Sequence, residues 1–301
     1  MAAELPLAPA GSGTARSLDI VAMTGRDRRR ALANALMAAI CAAAALACLV
    51  PLAAIVTFVI ANGLPAISVE FLTQEPEGVG GGGAVAAIAG SLQLVPIATL
   101  IAAPIGVLGA VYVAEFAGPR AAGAIRFTAD VLVGLPSVVV GVFVFAILVA
   151  PFGQYNALAG SVALAIIMVP IILRSTEEIL RLVPSSIREA SLALGVPVWR
   201  TVVSVVLRTG MAGILTGIML AVARAAGETA PLILTSLGSR LLNVGDLGRP
   251  MDALPLFVYA NSGQPDPRNV EQAWGAAFLL LVFVLAVNVV VRARTFGRRM
   301  A

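Results

Sequence analysis

Residues 177–200 read Glu-Glu-Ile-Leu-Arg-Leu-Val-Pro-Ser-Ser-Ile-Arg-Glu-Ala-Ser-Leu-Ala-Leu-Gly-Val-Pro-Val-Trp-Arg. This polar stretch interrupts an otherwise apolar chain, and its punctuation is that of a short helix. Ser185 or Ser186 is placed to cap it, with Glu189 three or four residues later, as a capping box requires. Gly195 is expected to end the helix in a left-handed conformation after about Leu194, and Pro197 prevents continuation. A second amphipathic piece follows, with Trp199, Val202, Val203 and Val206 on its apolar side. Taken alone, such a helix is either a docking element or a surface hairpin with no partner.

The surroundings of that stretch set the fold class. The chain is 59% hydrophobic and 12% charged, with a mean hydropathy of +0.98, whereas an ordinary soluble domain is roughly 25% charged. Several runs exceed the ~20 apolar residues needed to cross a bilayer. An all-α integral membrane protein is expected, with six spans near 31–61, 84–114, 127–150, 157–173, 210–236 and 273–291. The second span holds Pro96 and Pro104 and is long enough to be tilted or broken. Pro51, Pro136, Pro170 and Pro231 interrupt others. Proline inside a span is tolerated where neighbouring helices re-satisfy the freed carbonyls, so the spans must pack as a bundle. Residues 1–30 read as a disordered tail, 62–83 as a loop whose 78–83 run is a flexible glycine connector, and 293–301 as a second tail.

Arginine placement orients the bundle. All 20 basic residues are arginine. With six spans, sixteen of them fall on one side: Arg16, Arg26, Arg28, Arg29 and Arg30, then Arg120 and Arg126, then Arg174, Arg181, Arg188, Arg200 and Arg208, then the C-terminal four. The other side has Arg240, Arg249 and Arg268, and Arg224 lies within a span. The positive-inside rule then places both termini in the cytoplasm.

Absences narrow the chemistry. Without lysine there is no Walker A loop, and without histidine there are no histidine metal sites or histidine acid–base catalysis. Cys41 and Cys48, about 10 Å apart along a helix, read as two buried small side chains. Nothing suggests an enzyme, a resident cofactor or a metal.

Against that background Arg224 and Glu228 stand out. They are one helical turn apart in the fifth span, with Arg224 near its midpoint, where a charge costs on the order of 2.5–3.5 kcal/mol on insertion scales. Arginine before glutamate is the less favourable order for an i,i+4 pair, which points away from a purely structural bridge. Pro231 leaves the Gly227 carbonyl without a helical partner, and Gly227 is itself a poor helix former. Interrupted helices near the midplane are where transporters build substrate sites.

The motif spacing carries a resemblance. Glu189-Ala190-Ser191, three residues, Gly195, nine residues, then Val205-Val206-Leu207 resembles the EAA signature of type I, MetI-like ABC importer permeases, with Arg208 where that signature has proline. Gly134-Leu135-Pro136-Ser137 and Arg224-Ala225-Ala226-Gly227-Glu228-Thr229-Ala230-Pro231-Leu232 resemble the phosphate-importer permeases. With Ala273-Trp274, the latter block is more similar to the PstA type than to the PstC type. The resemblance covers roughly 84–292. It implies that Glu189, Ala190, Ser191 and Gly195, within the loop 174–208, form a coupling helix seated on an ATPase subunit. Arg174 matches a second arginine position of those permeases. Arg224, Glu228 and Arg174 are then expected along the phosphate pathway, with Gly227 and Pro231 breaking the helix beside it. The implied partners are a PstC-type homologous permease, two PstB-type ATPases that bind ATP and Mg, and an extracytoplasmic phosphate-binding protein, at the plasma membrane of a prokaryote. The alternatives are a permease for another oxyanion, or a secondary transporter or channel in which Arg224 and Glu228 serve ion coupling.

Overall fold

The computed structural model describes residues 25–77 and 81–297. The rest of the expected tails, and 78–80 of the glycine run, lie outside the described residues. The chain divides into two units at Ile55–Val56. The first contains the start of helix α1 (Gly25–Gly63), which continues through Pro51 without interruption. Cys41 and Cys48 lie on it and are exposed rather than buried. Apolar side chains on a span need no protein cover where lipid tails can supply it.

The second unit begins with the end of α1 and α2 (Val69–Thr73), which is capped by the Ser68 hydroxyl accepting the Phe71 N–H at 3.0 Å. The expected glycine connector is partly ordered: β1 (Pro76–Glu77) pairs antiparallel with β2 (Gly81–Gly82), and Gly82 takes φ +72°. The helices that follow are α3 (Val85–Val111), α4 (Pro119–Gly134), α5 (Ser137–Val144), α6 (Ala157–Leu182), α7 (Ser185–Ala193), α8 (Val198–Thr201) and α9 (Leu207–Ala226). They are succeeded by α10 (Ala230–Thr235), α11 (Leu254–Ser262) and α12 (Pro267–Gly297). Single π-helical turns follow α3 (Tyr112–Phe116) and α5 (Phe145–Val149), and a third joins α8 to α9 (Val202–Val206).

Among the described residues five helices are long and apolar enough to cross a membrane, or six if α4 and α5 make one span. That pair is bent by 100°. Pro136 explains the bend, because the residue before a proline is pushed out of the helical region, and Leu135 is extended at φ −69°, ψ 138°.

The core is a seam between α3 and α6. Leu94, Ala98, Ala102, Gly106 and Ala110 recur every fourth residue along α3, and all are buried. They form one ridge facing α6, whose Leu164, Met168 and Ile172 are fully buried. Small side chains let the backbones approach closely, which is how membrane helices associate without a hydrophobic drive. A Cβ on Gly106 would stand 2.8 Å from the Ile172 Cβ. Pro96 and Pro104 are on the exposed flank of α3, and the helix runs through both unbroken, where the sequence allowed a tilt or a break.

Residues 237–266 hold more structure than a loop. After α10 the chain turns through Leu237 (φ 62°) and Gly238 (φ 84°) and re-enters as α11. With nine residues, α11 is about 13 Å long, too short to span. Its Leu254, Pro255, Leu256 and Phe257 are buried, and Leu254 donates its N–H to Ser91 Oγ at 2.8 Å. Gly90 of α3 lies against the Asp252 carbonyl, which a Cβ there would overlap. Gly90→Ala is therefore expected to destabilise by about 1–3 kcal/mol through overpacking. The control Gly123→Ala, in α4 with nothing within 4 Å, should be neutral or slightly stabilising. Thermal unfolding of the two purified variants checks this; equal midpoints would refute the close approach.

Candidate functional site

Two clusters of charged groups sit at different levels of the bundle. The first is at the break between α9 and α10. Arg224 is in the last turn of α9, rather than near the middle of a continuous span, and there its cation complements the helix dipole. The helix ends at Gly227, whose N–H bonds the Arg224 carbonyl at 3.1 Å, and the Glu228 N–H bonds the Ala225 carbonyl at 3.2 Å. Pro231 does not cause the break. It stands in the first turn of α10, where a missing N–H leaves no bond unmade, and it packs against Gly141 of α5.

Arg224 Nε lies 3.5 Å from Glu228 Oε1, with the arginine side chain 49% exposed and the glutamate 14% exposed. The cavity that Arg224 lines with Leu135, Ser137, Val140, Ile167 and Ile171 measures about 10 Å³. That is the space of about one water-sized sphere, too little for an oxyanion.

The second cluster centres on Glu177 of α6, which is 1% exposed. Arg126 Nε of α4 reaches its Oε1 at 2.6 Å, Arg181 Nη2 the same oxygen at 2.8 Å, and Arg174 Nη1 its Oε2 at 3.2 Å. Arg174 Nε also meets Asp130 Oδ1 of α4 at 2.9 Å. Arg174 thus belongs to a different cluster from Arg224. Ser175 packs on Gly217 of α9, and Arg224 is seven residues beyond Gly217, about 10 Å further along the axis. From the sequence alone, Asp130 and Glu177 have no assigned role, and Arg126 and Arg181 serve only for orientation. The signal was present: Arg174, Glu177 and Arg181 are spaced i, i+3, i+7 on one helix face, and Arg126 and Asp130 are i, i+4.

Below this cluster the chain makes the expected short helix. α7 ends before Gly195 at φ +78°. Its N-cap is Pro184, and no side chain caps it, so the capping box through Ser185, Ser186 and Glu189 does not form. A guanidinium holds the helix instead. Arg188 Nη2 contacts Glu115 Oε1, in the π turn that follows α3, and the Leu180 carbonyl, each at 2.8 Å, and Nη1 bonds the Val183 carbonyl. Ser191 and Thr201 share a buried hydroxyl–hydroxyl bond of 2.9 Å that fastens α7 to α8. Glu189 and Ala190 are exposed, Ser191 is buried. Val202 and Val206 are buried as expected, whereas Trp199 and Val203 are 62% and 58% exposed. The π turn advances each residue by less than the α-helical angle, which shifts Val203 off the apolar face. Leu192, Leu194, Val198 and Trp199 leave an exposed apolar patch around the Gly195 turn.

A bundle of spans built around one buried helix, with a short helical elbow at one end, defines a membrane permease. The family described as "Binding-protein-dependent transport system inner membrane component" matches residues 102–295, and the chain belongs to that family. It is 40% identical over 235 residues to "Phosphate transport system permease protein PstA" of Pasteurella multocida (strain Pm70), covering 77% of this chain and 84% of that one. With the protein of the same name from Xylella fastidiosa (strain Temecula1 / ATCC 700964) the identity is 38% over 269 residues, 88% of this chain and 93% of that one. Among solved structures, "Inward facing conformations of the MetNI methionine ABC transporter: CY5 native crystal form" superposes with a TM-score of 0.54 at 18% identity. It covers 71% of this chain and 94% of the other, a likeness of fold.

Removing one partner of a buried ion pair costs about 3–5 kcal/mol, whereas an exposed pair is worth about 0–1 kcal/mol. Glu177→Gln should lower stability by about 3 kcal/mol, the lower end, since Arg126 and Arg174 are 28% and 32% exposed and partly screened. Arg181→Gln, on a side chain 55% exposed, should cost well under a third of that. Thermal midpoints of both variants check the ranking, and equal losses would contradict it.

Proposed function

We propose that this chain is the permease subunit of an ATP-driven inorganic phosphate importer. In this reading it forms half of the translocation pathway and couples it to partner ATPases. The observation that supports it most is the α9–α10 break, where a half-exposed arginine is held by a largely buried glutamate in a chain about 40% identical to phosphate permeases. Phosphate is a hydrated anion, and arginine's planar fork replaces part of that hydration bidentately. Glu228 holds the guanidinium while the site is empty. The 10 Å³ cavity beside Arg224 makes this a half-site, completed by a homologous PstC-type permease.

The exposed apolar patch around Gly195 supports docking, since such patches mark interaction surfaces. One of two PstB-type ATPases docks there; the ATPases bind ATP and Mg, so this chain needs no cofactor or metal of its own, and an extracytoplasmic phosphate-binding protein delivers substrate. Both termini and α7 then face the cytoplasm of a prokaryotic cell, and α11 faces outward. Closure of the ATPases moves α7, and Arg188 carries that motion to α3 and α6 through its contacts with Glu115 and the Leu180 carbonyl. Arg174, bound to Asp130 and Glu177, stands about 10 Å nearer the cytoplasm than Arg224 and receives phosphate on its way in.

Uptake of radiolabelled phosphate by assembled complexes tests the site. Arg224→Lys keeps the charge but loses the fork, so it should assemble and transport poorly. Arg224→Gln should abolish import. The double change Arg224→Gln with Glu228→Gln removes both charges and should stay inactive, whereas near-normal uptake would reduce the pair to a structural bridge. For coupling, a β-branched residue is opposed at the positive φ of Gly195. Gly195→Val should leave ATP hydrolysis running while import falls several-fold, and unchanged import would remove α7 from the coupling path.

A further inference from the structure

A cavity of about 150 Å³ lies at the α11 end of the bundle, lined by Arg240, Asp252, Asn261, Gln264, Asn269 and Gln272 together with Phe257 and Ala260. It takes no part in the site at the helix break. On the scale where about 10–15 Å³ is the space of one water-sized sphere, it has room for a tetrahedral oxyanion with some solvent. Asp252 and Asn269 are 91% and 94% buried, from exposures of 9% and 6%. Asp252 Oδ1 accepts the Ala253 N–H at 2.8 Å. Burial pushes the Asp252 carboxyl up to about 7, against the lowering effect of that bond.

The donor set selects the ligand class. Asn261 and Gln264 each give one amide N–H to a carbonyl of their own helix, at 2.9 and 3.2 Å. Each amide therefore keeps a second N–H. With the Arg240 guanidinium these groups favour an anion. A metal cation is disfavoured by that arginine, and no group of three or more metal-ligating acidic, cysteine or histidine side chains occurs among the described residues. Asp252 adds the discriminating element. A carboxylate can only accept hydrogen bonds, so it repels a fully ionised oxyanion and welcomes one that still carries an O–H.

We propose that this cavity is an outer receiving site for a protonated oxyanion, inorganic phosphate, with Arg240 and the amides binding its charged oxygens and Asp252 accepting its O–H. The identity of the ligand rests on the importer reading above. Sulfate, which has no proton to give, is excluded when Asp252 is ionised.

The test uses the full complex in phosphatidylcholine vesicles, so that no anionic headgroup competes. Cys41 and Cys48 are replaced by serine, and the exposed rim residue Ala260 is changed by Ala260→Cys to report occupancy. The rate of its reaction with an impermeant maleimide is measured at about pH 8, above the Asp252 value, in phosphate, sulfate or chloride of equal ionic strength. Phosphate should slow labelling several-fold and sulfate should not. Arg240→Gln should remove the protection, and Asp252→Asn should let sulfate protect as well as phosphate. Equal protection by both anions without the Asp252 change, or none by either, overturns the proposal. ATP-dependent phosphate uptake by the same vesicles reports separately. Uptake without protection sinks the receiving site alone, and protection without uptake sinks the importer reading while leaving a phosphate site.

Discussion

The close approach of α3 and α6 is the constraint on which the other packing depends. In hydrocarbon, apolar side chains gain little by leaving lipid, so helices associate through contact and hydrogen bonding. The ridge from Leu94 to Ala110 supplies contact along α6 from Gly160 to Leu173. α6 then serves as the post against which α4, α5, α9 and α10 lean. Its first turn is tied to the α10–α11 segment, where the Asn156 N–H bonds the Thr235 carbonyl and the Ala157 N–H bonds the Arg249 carbonyl. Its last turns carry Glu177, and the chain continues from there into α7. One helix therefore joins the two ends of the second unit.

A buried carboxylate with three arginines is weak evidence for stability, because desolvation offsets much of the Coulomb gain. Its geometry is better evidence for specificity. α4 has only Ala122 and Ala129 buried, too little apolar contact to fix its position. Arg126 and Asp130 supply directional bonds to α6 in its place. The 100° bend at Pro136 swings α4 away from α5, and those ion pairs hold it where the bend sends it. Polar contacts decide position where the apolar contacts are few.

What the sequence disclosed followed from local chemistry. Gly195 announced its left-handed turn, since few residues other than glycine adopt one, and the i,i+4 spacing of Arg224 and Glu228 placed them in contact. Hydropathy located the spans but not their ends: α6 runs nine residues past the expected limit, through a charged last stretch in which Glu177 pairs with Arg174 and Arg181. Of the prolines within the spans only Pro136 interrupts a helix, and Pro51 and Pro170 lie inside unbroken ones. Pro96 and Pro104 sit on an exposed flank and break nothing, while Pro231 begins a helix rather than ending one. α11 was hidden because nine residues make no hydropathy window. The missing cap on α7 shows a tertiary contact, Arg188 to Glu115, overriding a local motif.

The π turn at 202–206 has a bearing on how chain length can vary. A π turn carries one residue more than an α turn, and here it sits between the elbow of α7 and α8 and the helix that presents Arg224. A one-residue deletion inside Val202–Val206 converts the wide turn to ordinary α-helix and leaves the facing of α9 as it was. The same deletion between Leu207 and Arg224 rotates everything beyond it by about 100° and turns the guanidinium away from Ser137 and Ile171. The turn is a slack link, and the rest of α9 has none.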